Sequence, residues 1–587
     1  YDISFSTVAG QVSFKNEAVF EKEEDGYRLL WEDSLIFPGL EETDKVRVST
    51  DSASRGKILD RNGICLAGPG VVSSVGIVPA KLENEEEALN ELAELLDLSV
   101  DTIKNKLHAS WVKEDSFVPI ATIPKISELE SQGQSEELSK EQDRQNKILA
   151  ISGVMMTDTQ ARTYKLGKAA AHLIGYVQNV TEEDLEKHAG EGYSSSSVIG
   201  KSGVEAFYEK QLKGQNGCKI AIVDQDGKEK EVIASTEKED GQDIQLTIDA
   251  QLQQDLYEQF EKDPGCSVAM NPYTGEVLAL VSTPTYDSND FIRGISANKW
   301  QELSEDENRP LYNRFRQVWC PGSTFKPITA AIGLKTGAID PNEDFGSEGL
   351  SWQKDGSWGS YYVTTLHTYA PVILKNALIY SDNIYFAKTA LKIGAENFID
   401  QLEQVGFKQQ IPFEINMNVS KYSNTEKIES EIQLADSGYG QGQILVNPLH
   451  LASMYTAFSN NGSMIKPYLE YKESEEGEVW ILDAFSSDIV SQVREGLIGV
   501  VNNPNGTGYA ARRLDRTLAG KTGTAELKAT KEDTTGTEIG WFSVFTADQE
   551  EEKPILIVSM VENVKGLGGS GYVVKKDKAV LDAYFGH

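Results

Sequence analysis

The pattern of apolar and polar positions changes character along the chain. From residue 1 to about 47, stretches such as "YDISFSTVAG" and "YRLLWEDSLIF" predict short strands with few helical patterns. "SRGKILDRNG" (Ser54–Gly63) carries a turn signal. "ENEEEALNELAELLDL" (Glu83–Leu98) then takes the helical period, with Leu89, Leu92, Leu95 and Leu96 on one face. The polar run "ELESQGQSEELSKEQDRQNK" (residues 128–147) predicts a solvated helix or loop. "GCKIAIVDQDGKEKEVIAS" (Gly217–Ser235) predicts a hairpin turning near Asp226-Gly227. The acidic stretch "TEKEDGQD" (Thr236–Asp243) marks a boundary. Beyond it "IQLTID" and "SVAMNPYTGEVLALV" read as strands, the latter a pair joined through Asn271–Gly275. From there to the end helices and strands mix in one block, with no internal repeat.

A chain of 587 residues exceeds one core, so two to four domains are expected. Hydrophobic and charged contents of 39% and 25% describe a soluble globular protein, while 56 basic against 91 acidic residues give a net charge of −35. Such a surface repels phosphate backbones, so no nucleic-acid partner is expected. Cys65, Cys218, Cys266 and Cys320 form no CxxC pair, which argues against a zinc site or a disulfide framework. The six histidines show no metal-ligand spacing, and neither H-E-x-x-H, G-x-S-x-G nor a phosphate loop occurs, so neither metal nor other cofactor is expected. No run of about 18 apolar residues is present. Because the sequence opens at "YDISFSTVAG" without an initiator Met, a trimmed N-terminus is expected, and a membrane anchor upstream stays open.

The octapeptide "CPGSTFKP" (Cys320–Pro327) carries candidate chemistry. Pro-Gly sets up a helix start, and Pro327 is tolerated only in a first turn, where its missing N–H is not needed. Ser323 and Lys326 then share a face, and Ser323 meets the free N–H groups of a positive helix end, which suits a developing oxyanion. A serine hydroxyl needs a base to become a nucleophile, and a lysine can serve once burial or neighbouring cations lower its pKa. The plain alternative is an N-cap serine beside a solvated lysine. Six other serines (Ser54, Ser110, Ser235, Ser296, Ser351 and Ser463) also have a lysine three residues on.

Two later stretches complete a set. Ser381-Asp382-Asn383 opens the apolar helix of "YSDNIYFAKTAL". Lys521-Thr522-Gly523-Thr524 lies in "LAGKTGTAEL", whose small residues and threonines suit an extended edge for a peptide. Single decoys occur at Ser296-Ala297-Asn298, Ser459-Asn460-Asn461 and Lys335-Thr336-Gly337, the last glycine reading as a helix C-cap. The ordered set, S-x-x-K after Pro-Gly, then S-D-N, then K-T-G-T, is that of penicillin-binding proteins and class A β-lactamases.

With "SRGKILDRNG", "ARTYKLGKAAAHLIGYV" (Ala161–Val177), "GKSGVEAFYEKQLKGQNG" (Gly200–Gly217) and "ADSGYGQG" (Ala435–Gly442), nearly the whole chain resembles class B penicillin-binding proteins, the monofunctional D,D-transpeptidases of peptidoglycan. "SDNIYFAKTALKIG", "LADSGYGQGQILVNP", "KTGTAELK" and "IGWF" make it most similar to the low-affinity, methicillin-resistance type. Two departures from the family pattern are Cys320 and the Lys165 that follows Tyr164. The resemblance implies a multidomain α+β architecture: residues 1–47 as the end of an NTF2-like domain whose beginning is missing, 48–242 as the elongated dimerisation or pedestal domain, and 243–587 as a transpeptidase domain with a five-stranded antiparallel sheet flanked by helices.

It also implies roles. Ser323 would be the nucleophile and Lys326 its base, Ser381 a proton relay, and Lys521 a source of positive field. The backbone N–H groups of Ser323 and Thr524 would form the oxyanion hole. Asn383, Thr522, Gly523 and Thr524 would bind the substrate, with Tyr439 and Gln441 lining the cleft. The implied partners are peptidoglycan stem peptides, β-lactams, a separate glycosyltransferase and, through an anchor, the outer face of a bacterial cell membrane. Water in place of the acceptor amine would give carboxypeptidase activity. A serine β-lactamase or a β-lactam sensor would share the motifs, but the long region before Ser323 fits neither.

Overall fold

In the computed structural model the described residues are 1–127, 135–473, 476–527 and 536–586. Part of the polar run at 128–147 therefore lies outside the described residues; from Ser135 it is a helix, Ser135–Ala150, whose far end buries Gln145 and Ile148. The chain separates into two compact units. One comprises 1–58, 67–69 and 176–244, the other 59–66, 70–175 and 245–587. The stretch 48–242, expected from the sequence as one domain, thus contributes to both.

In the first unit the strands Asp2–Thr7 and Gly10–Lys15 form a hairpin, as do Phe20–Glu23 and Gly26–Leu29. A three-stranded antiparallel sheet joins Lys45–Asp51, Gly217–Val223 and Glu229–Thr236, the last two being the hairpin expected around Asp226-Gly227. Arg55 of "SRGKILDRNG" anchors this unit by bonding Glu205 at 2.7 Å and Glu209 at 2.6 Å. Glu205 is fully buried, so this fork-shaped cation satisfies a carboxylate that could not stand alone.

In the second unit, helix Glu85–Leu96 turns Leu89, Leu92 and Leu96 onto a core with Ile103, Val118 and Ile148, as its period predicts. The C-terminal part is built on five antiparallel strands: β1 (Gly265–Met270), β2 (Val277–Thr283), β3 (Leu518–Leu527), β4 (Thr537–Thr546) and β5 (Leu556–Val561). Their order is β2-β1-β5-β4-β3. Strands β1, β2 and β5 are buried at every position, so they read as continuous apolar runs with no alternation. Helices Ala250–Phe260 and Ser570–Phe585 cover the face that carries Ile557 and Val561, and helix Pro448–Thr456 packs on β1 and β5. Helix Lys326–Lys335 is buried from Lys326 through Gly333, between helices Asn383–Ile393 and Ser487–Asn502. This is the mixed α+β architecture expected, with its five-stranded antiparallel sheet.

One polar chain crosses this core. Ser267 of β1 shares a hydrogen bond of 2.9 Å with Ser559 of β5, which donates at 2.7 Å to Asp577 of the C-terminal helix. Asp577 is fully buried, its Oδ2 has no partner, and burial pushes its carboxyl up to about 8. Between the ordinary value of 3.8 and about 8 the folded chain holds a proton that the unfolded chain has released, so this group's contribution to stability falls as pH rises through that window. Asp577→Asn keeps the shape without the ionisation. Its melting temperature should exceed that of the native chain by a few degrees at pH 8, and the difference should vanish near pH 4 in thermal unfolding followed by circular dichroism.

Candidate active site

The turn at Ser323 is fixed from several directions. Gly322 adopts φ +53°, a left-handed conformation open to glycine, and starts a 3-10 turn, Gly322–Phe325, that runs into helix Lys326–Lys335. Trp541 Nε1 donates to Cys320 O at 2.9 Å, Tyr455 donates to Thr324 O at 2.7 Å, and Gly322 N donates to Gly440 O at 2.9 Å. Gly322, Thr324, Phe325 and Lys326 are buried, while Ser323 between them is partly exposed.

β3 passes close to this turn. A Cβ on Gly523 would fall 2.8 Å from Pro321 O and 2.9 Å from Thr324 Cγ2, and one on Gly322 would fall 2.7 Å from Thr524 O. Only glycines allow this approach, which sets the main chain of Thr524 beside that of Ser323. In the β3–β4 ladder Lys521 lies opposite Ser543 and Gly523 opposite Trp541. Successive side chains of a strand alternate in face, so Lys521 and Gly523 share one face and Thr522 and Thr524 the other. Thr522 donates to Thr507 Oγ1 at 2.6 Å. β3 ends the sheet, leaving one edge of its backbone unpaired by any strand among the described residues.

Ser381 sits between helices Leu374–Ile379 and Asn383–Ile393. Its φ of +56° is unusual for a residue with a Cβ, a strain of about 1–3 kcal/mol. Asp382 holds the bend as N-cap, accepting from Ile384 N at 2.8 Å, Tyr385 N at 3.3 Å and the Tyr369 hydroxyl at 2.8 Å. The bend turns both oxygens of Ser381 toward Lys326, whose Nζ donates to Ser381 O at 2.6 Å, Ser381 Oγ at 3.1 Å and Asn383 Oδ1 at 2.8 Å. Lys521 Nζ donates to Ser381 Oγ at 2.8 Å and Thr522 O at 3.1 Å. Asn383 Nδ2 donates to Thr364 O at 2.8 Å.

The structure thus joins Lys326, Ser381, Asn383 and Lys521 in one hydrogen-bonded chain, three residues along the helix from Ser323. Tyr439 is buried and gives its hydroxyl to Asp436, while Gln441 Oε1 lies 3.6 Å from Cys320 Sγ. Sequence reasoning missed Thr507, Tyr361 and Asp436. Thr507 and Tyr361 sit in no recognisable motif, and "ADSGYGQG", which contains Asp436, shows glycine spacing but no sign of the carboxylate's partners.

Both lysines are fully buried, and neither forms an ion pair among the described residues. Burial first, then the like charge of Lys521, holds the Lys326 amine well below the ordinary lysine range, with Asp382 pulling the other way. Burial brings Lys521 down to about 7. Two like charges bonded to one hydroxyl favour one neutral amine beside one cation, and Lys326, held well below the ordinary range, can be the neutral one. A neutral amine has two N–H groups and a lone pair, so Ser381 can rotate its hydroxyl proton onto Lys326 Nζ while still accepting from Lys521. That arrangement can withdraw a proton from one hydroxyl and deliver it through another.

Residues 265–582 match the family model of the penicillin binding protein transpeptidase domain, and residues 50–246 that of the penicillin-binding protein dimerisation domain. Penicillin-binding protein 3 of Bacillus subtilis (strain 168) is 43% identical over 585 residues, spanning 98% of this chain and 84% of that protein. Peptidoglycan D,D-transpeptidase MrdA of Escherichia coli (strain K12) is 28% identical, over 84% of this chain and 79% of its own length. Among solved structures, a chain of the complex between penicillin-binding protein PBP2 and MreC from Helicobacter pylori shares the fold. Its TM-score is 0.70 at 24% identity, over 92% of this chain and 99% of that one.

The thiol nearest the site is packed. Cys320 Sγ donates to Gly440 O at 3.2 Å, and burial pushes the thiol up to about 12. A thiol held so far above neutrality has almost no thiolate to react. Native protein treated with iodoacetamide at pH 7 should leave Cys320 unmodified by peptide mass spectrometry, with alkylation appearing only once denaturant is added.

Proposed function

The chain belongs to the penicillin-binding protein transpeptidase family, and from that premise we propose that it cross-links peptidoglycan stem peptides through an acyl-enzyme on Ser323. The observation that carries this reading is the shared hydroxyl of Ser381, bonded by two buried lysines beside the Ser323 turn.

Ser323 Oγ attacks the carbonyl carbon between the two terminal D-alanines, and its proton passes to the neutral Lys326. The tetrahedral oxyanion is held by the N–H groups of Ser323 and Thr524. Collapse breaks the C–N bond, and the departing D-alanine amine takes its proton from Ser381, which is replenished by Lys326. Lys521, still charged, steadies the anionic intermediate and poises that relay. Asn383 bonds the donor's peptide amide, and Thr522 and Thr524 hold its terminal carboxylate while Gly523 lets β3 run alongside. The amine of a second stem peptide then displaces Ser323, forming the cross-link; water in its place gives carboxypeptidase turnover. Tyr439 and Gln441 back the cleft.

β-Lactams present the same carbonyl geometry and acylate Ser323. The stretches "SDNIYFAKTALKIG" and "LADSGYGQGQILVNP" support the low-affinity, methicillin-resistance type, for which this acylation is slow. The substrate requires the outer face of a bacterial cell membrane, reached through an anchor outside this sequence, and a separate glycosyltransferase to supply the glycan strands. No described helix is long and apolar enough to cross a membrane. The proposed domains remain 1–47, 48–242 and 243–587, the second agreeing in extent with the dimerisation match at 50–246.

Fluorescent penicillin should label the native chain on the peptide bearing Ser323, and Ser323→Ala should abolish the label; an adduct elsewhere, or labelling that survives, rejects the nucleophile assignment. The second-order acylation constant reports the free enzyme. It should rise with pH as Lys326 loses its proton, then fall above about 7 as Lys521 loses its charge, by up to about tenfold per pH unit. Lys521→Arg keeps its charge throughout, so its stopped-flow profile should lack the alkaline limb.

A further inference from the structure

A stretch that no motif covers borders the Ser323 site. Ser351–Trp352 and Val363–Thr364 pair as a short antiparallel hairpin, and its return arm, 361–364, touches the site at both ends. At one end Thr364 O accepts from Asn383, whose Oδ1 accepts from Lys326. At the other, the Tyr361 hydroxyl donates to Oδ1 of Asp436, the same oxygen that receives the Tyr439 hydroxyl. The two phenol oxygens lie 3.4 Å apart.

Asp436 lies in the last turn of helix Glu431–Ser437, which leads into the loop that backs Ser323. Gly440 of that loop lies against the Ser323 turn so closely that a Cβ would fall 2.1 Å from Gly322 O. The carboxylate is on a fixed base: its main-chain oxygen accepts from Gln441 N at 3.0 Å and Tyr439 N at 3.2 Å. The arm is stiff as well. Trp358 packs edge-on against Trp352 at 5.4 Å and against Tyr361 at 6.0 Å. A carboxylate oxygen taking two O–H bonds makes a charge-assisted joint, stronger than a neutral pair. Loss of the joint frees the arm that carries the acceptor for Asn383, while the bonds of Lys326 and Lys521 to Ser381 involve no atom of the arm.

We propose that Asp436 is a positioning residue of the acyl-transfer reaction: by holding Tyr361 and Tyr439 on one oxygen it fixes arm 361–364, and through Thr364 the Asn383 amide that orients the donor peptide. This rests on the acyl-transfer reading of Ser323. Asn383 needs its Nδ2 committed to Thr364 to present the remaining amide edge in one orientation, and small displacements of an orienting group are amplified in rate.

The test compares Asp436→Ala, Asp436→Asn and Tyr361→Phe on the full chain with a depsipeptide or thioester analogue of D-Ala-D-Ala. Asp436→Ala and Tyr361→Phe should lower kcat/KM about tenfold, chiefly through kcat. Asp436→Asn retains an acceptor oxygen and should recover most of that loss, with melting temperatures of all three close to native. Kinetics within twofold of native in Asp436→Ala, or a loss that Asp436→Asn fails to recover and that follows a lowered melting temperature, overturns the proposal. Fluorescent penicillin on the same preparations separates the two readings. A native chain without a Ser323 adduct overturns both, whereas labelled variants with unchanged donor kinetics overturn the Asp436 assignment alone.

Discussion

Two lysine amines buried side by side, with no carboxylate in contact among the described residues, form the constraint on which the rest of this structure depends. Moving one such ion out of water costs several kcal/mol even after relaxation, and a second of the same sign adds repulsion. The fold meets this by letting Lys326 go neutral and by surrounding both amines with oxygen acceptors: Ser381 O, Ser381 Oγ, Asn383 Oδ1 and Thr522 O. Burial lowers both amines and the repulsion between them is mutual, so the pair favours a single positive charge. A neutral amine and a cation can thereby be obtained from one residue type.

That pairing requires three distant segments to meet at backbone range, and glycine makes the meeting possible. Gly523 admits β3 against Pro321 and Thr324, Gly322 admits Thr524, and Gly440 admits the loop behind them. Side chains at these points would clash with the facing main chain and force the segments apart. Rigid partners then fix the positions: the sheet carries Lys521, a buried helix carries Lys326, and the strained bend at Ser381 is held by the Asp382 cap.

Much of this is legible in the sequence, though unevenly. The hairpin at Gly217–Thr236 and the buried face of helix Glu85–Leu96 follow from local periodicity, and β1 and β2 from continuous apolar runs joined by a short turn. The three motifs stand out because close approach and proton transfer restrict residue choice to Gly, Ser, Lys and Asn at fixed spacing. The joint at Asp436 is not legible: Tyr361 is 75 residues from its carboxylate, and a tyrosine donating a hydrogen bond resembles any half-buried tyrosine until the chain is folded. Nor does periodicity show that residues 70–175 group with the C-terminal part and 176–244 with the N-terminal one, because that division is set by contacts between segments far apart in the chain.

The site also concentrates terms that oppose folding: two desolvated lysines, a left-handed serine and a helix entered through a 3-10 turn. Such terms persist only where surrounding structure over-determines them. Here the surroundings are a sheet with three strands buried along their whole length and helices over both faces, so the dry core beneath supplies what the site withholds. An acidic surface of −35 adds self-repulsion to the same balance. Yet it leaves the buried amines of Lys326 and Lys521 as a local source of positive potential within an acidic chain.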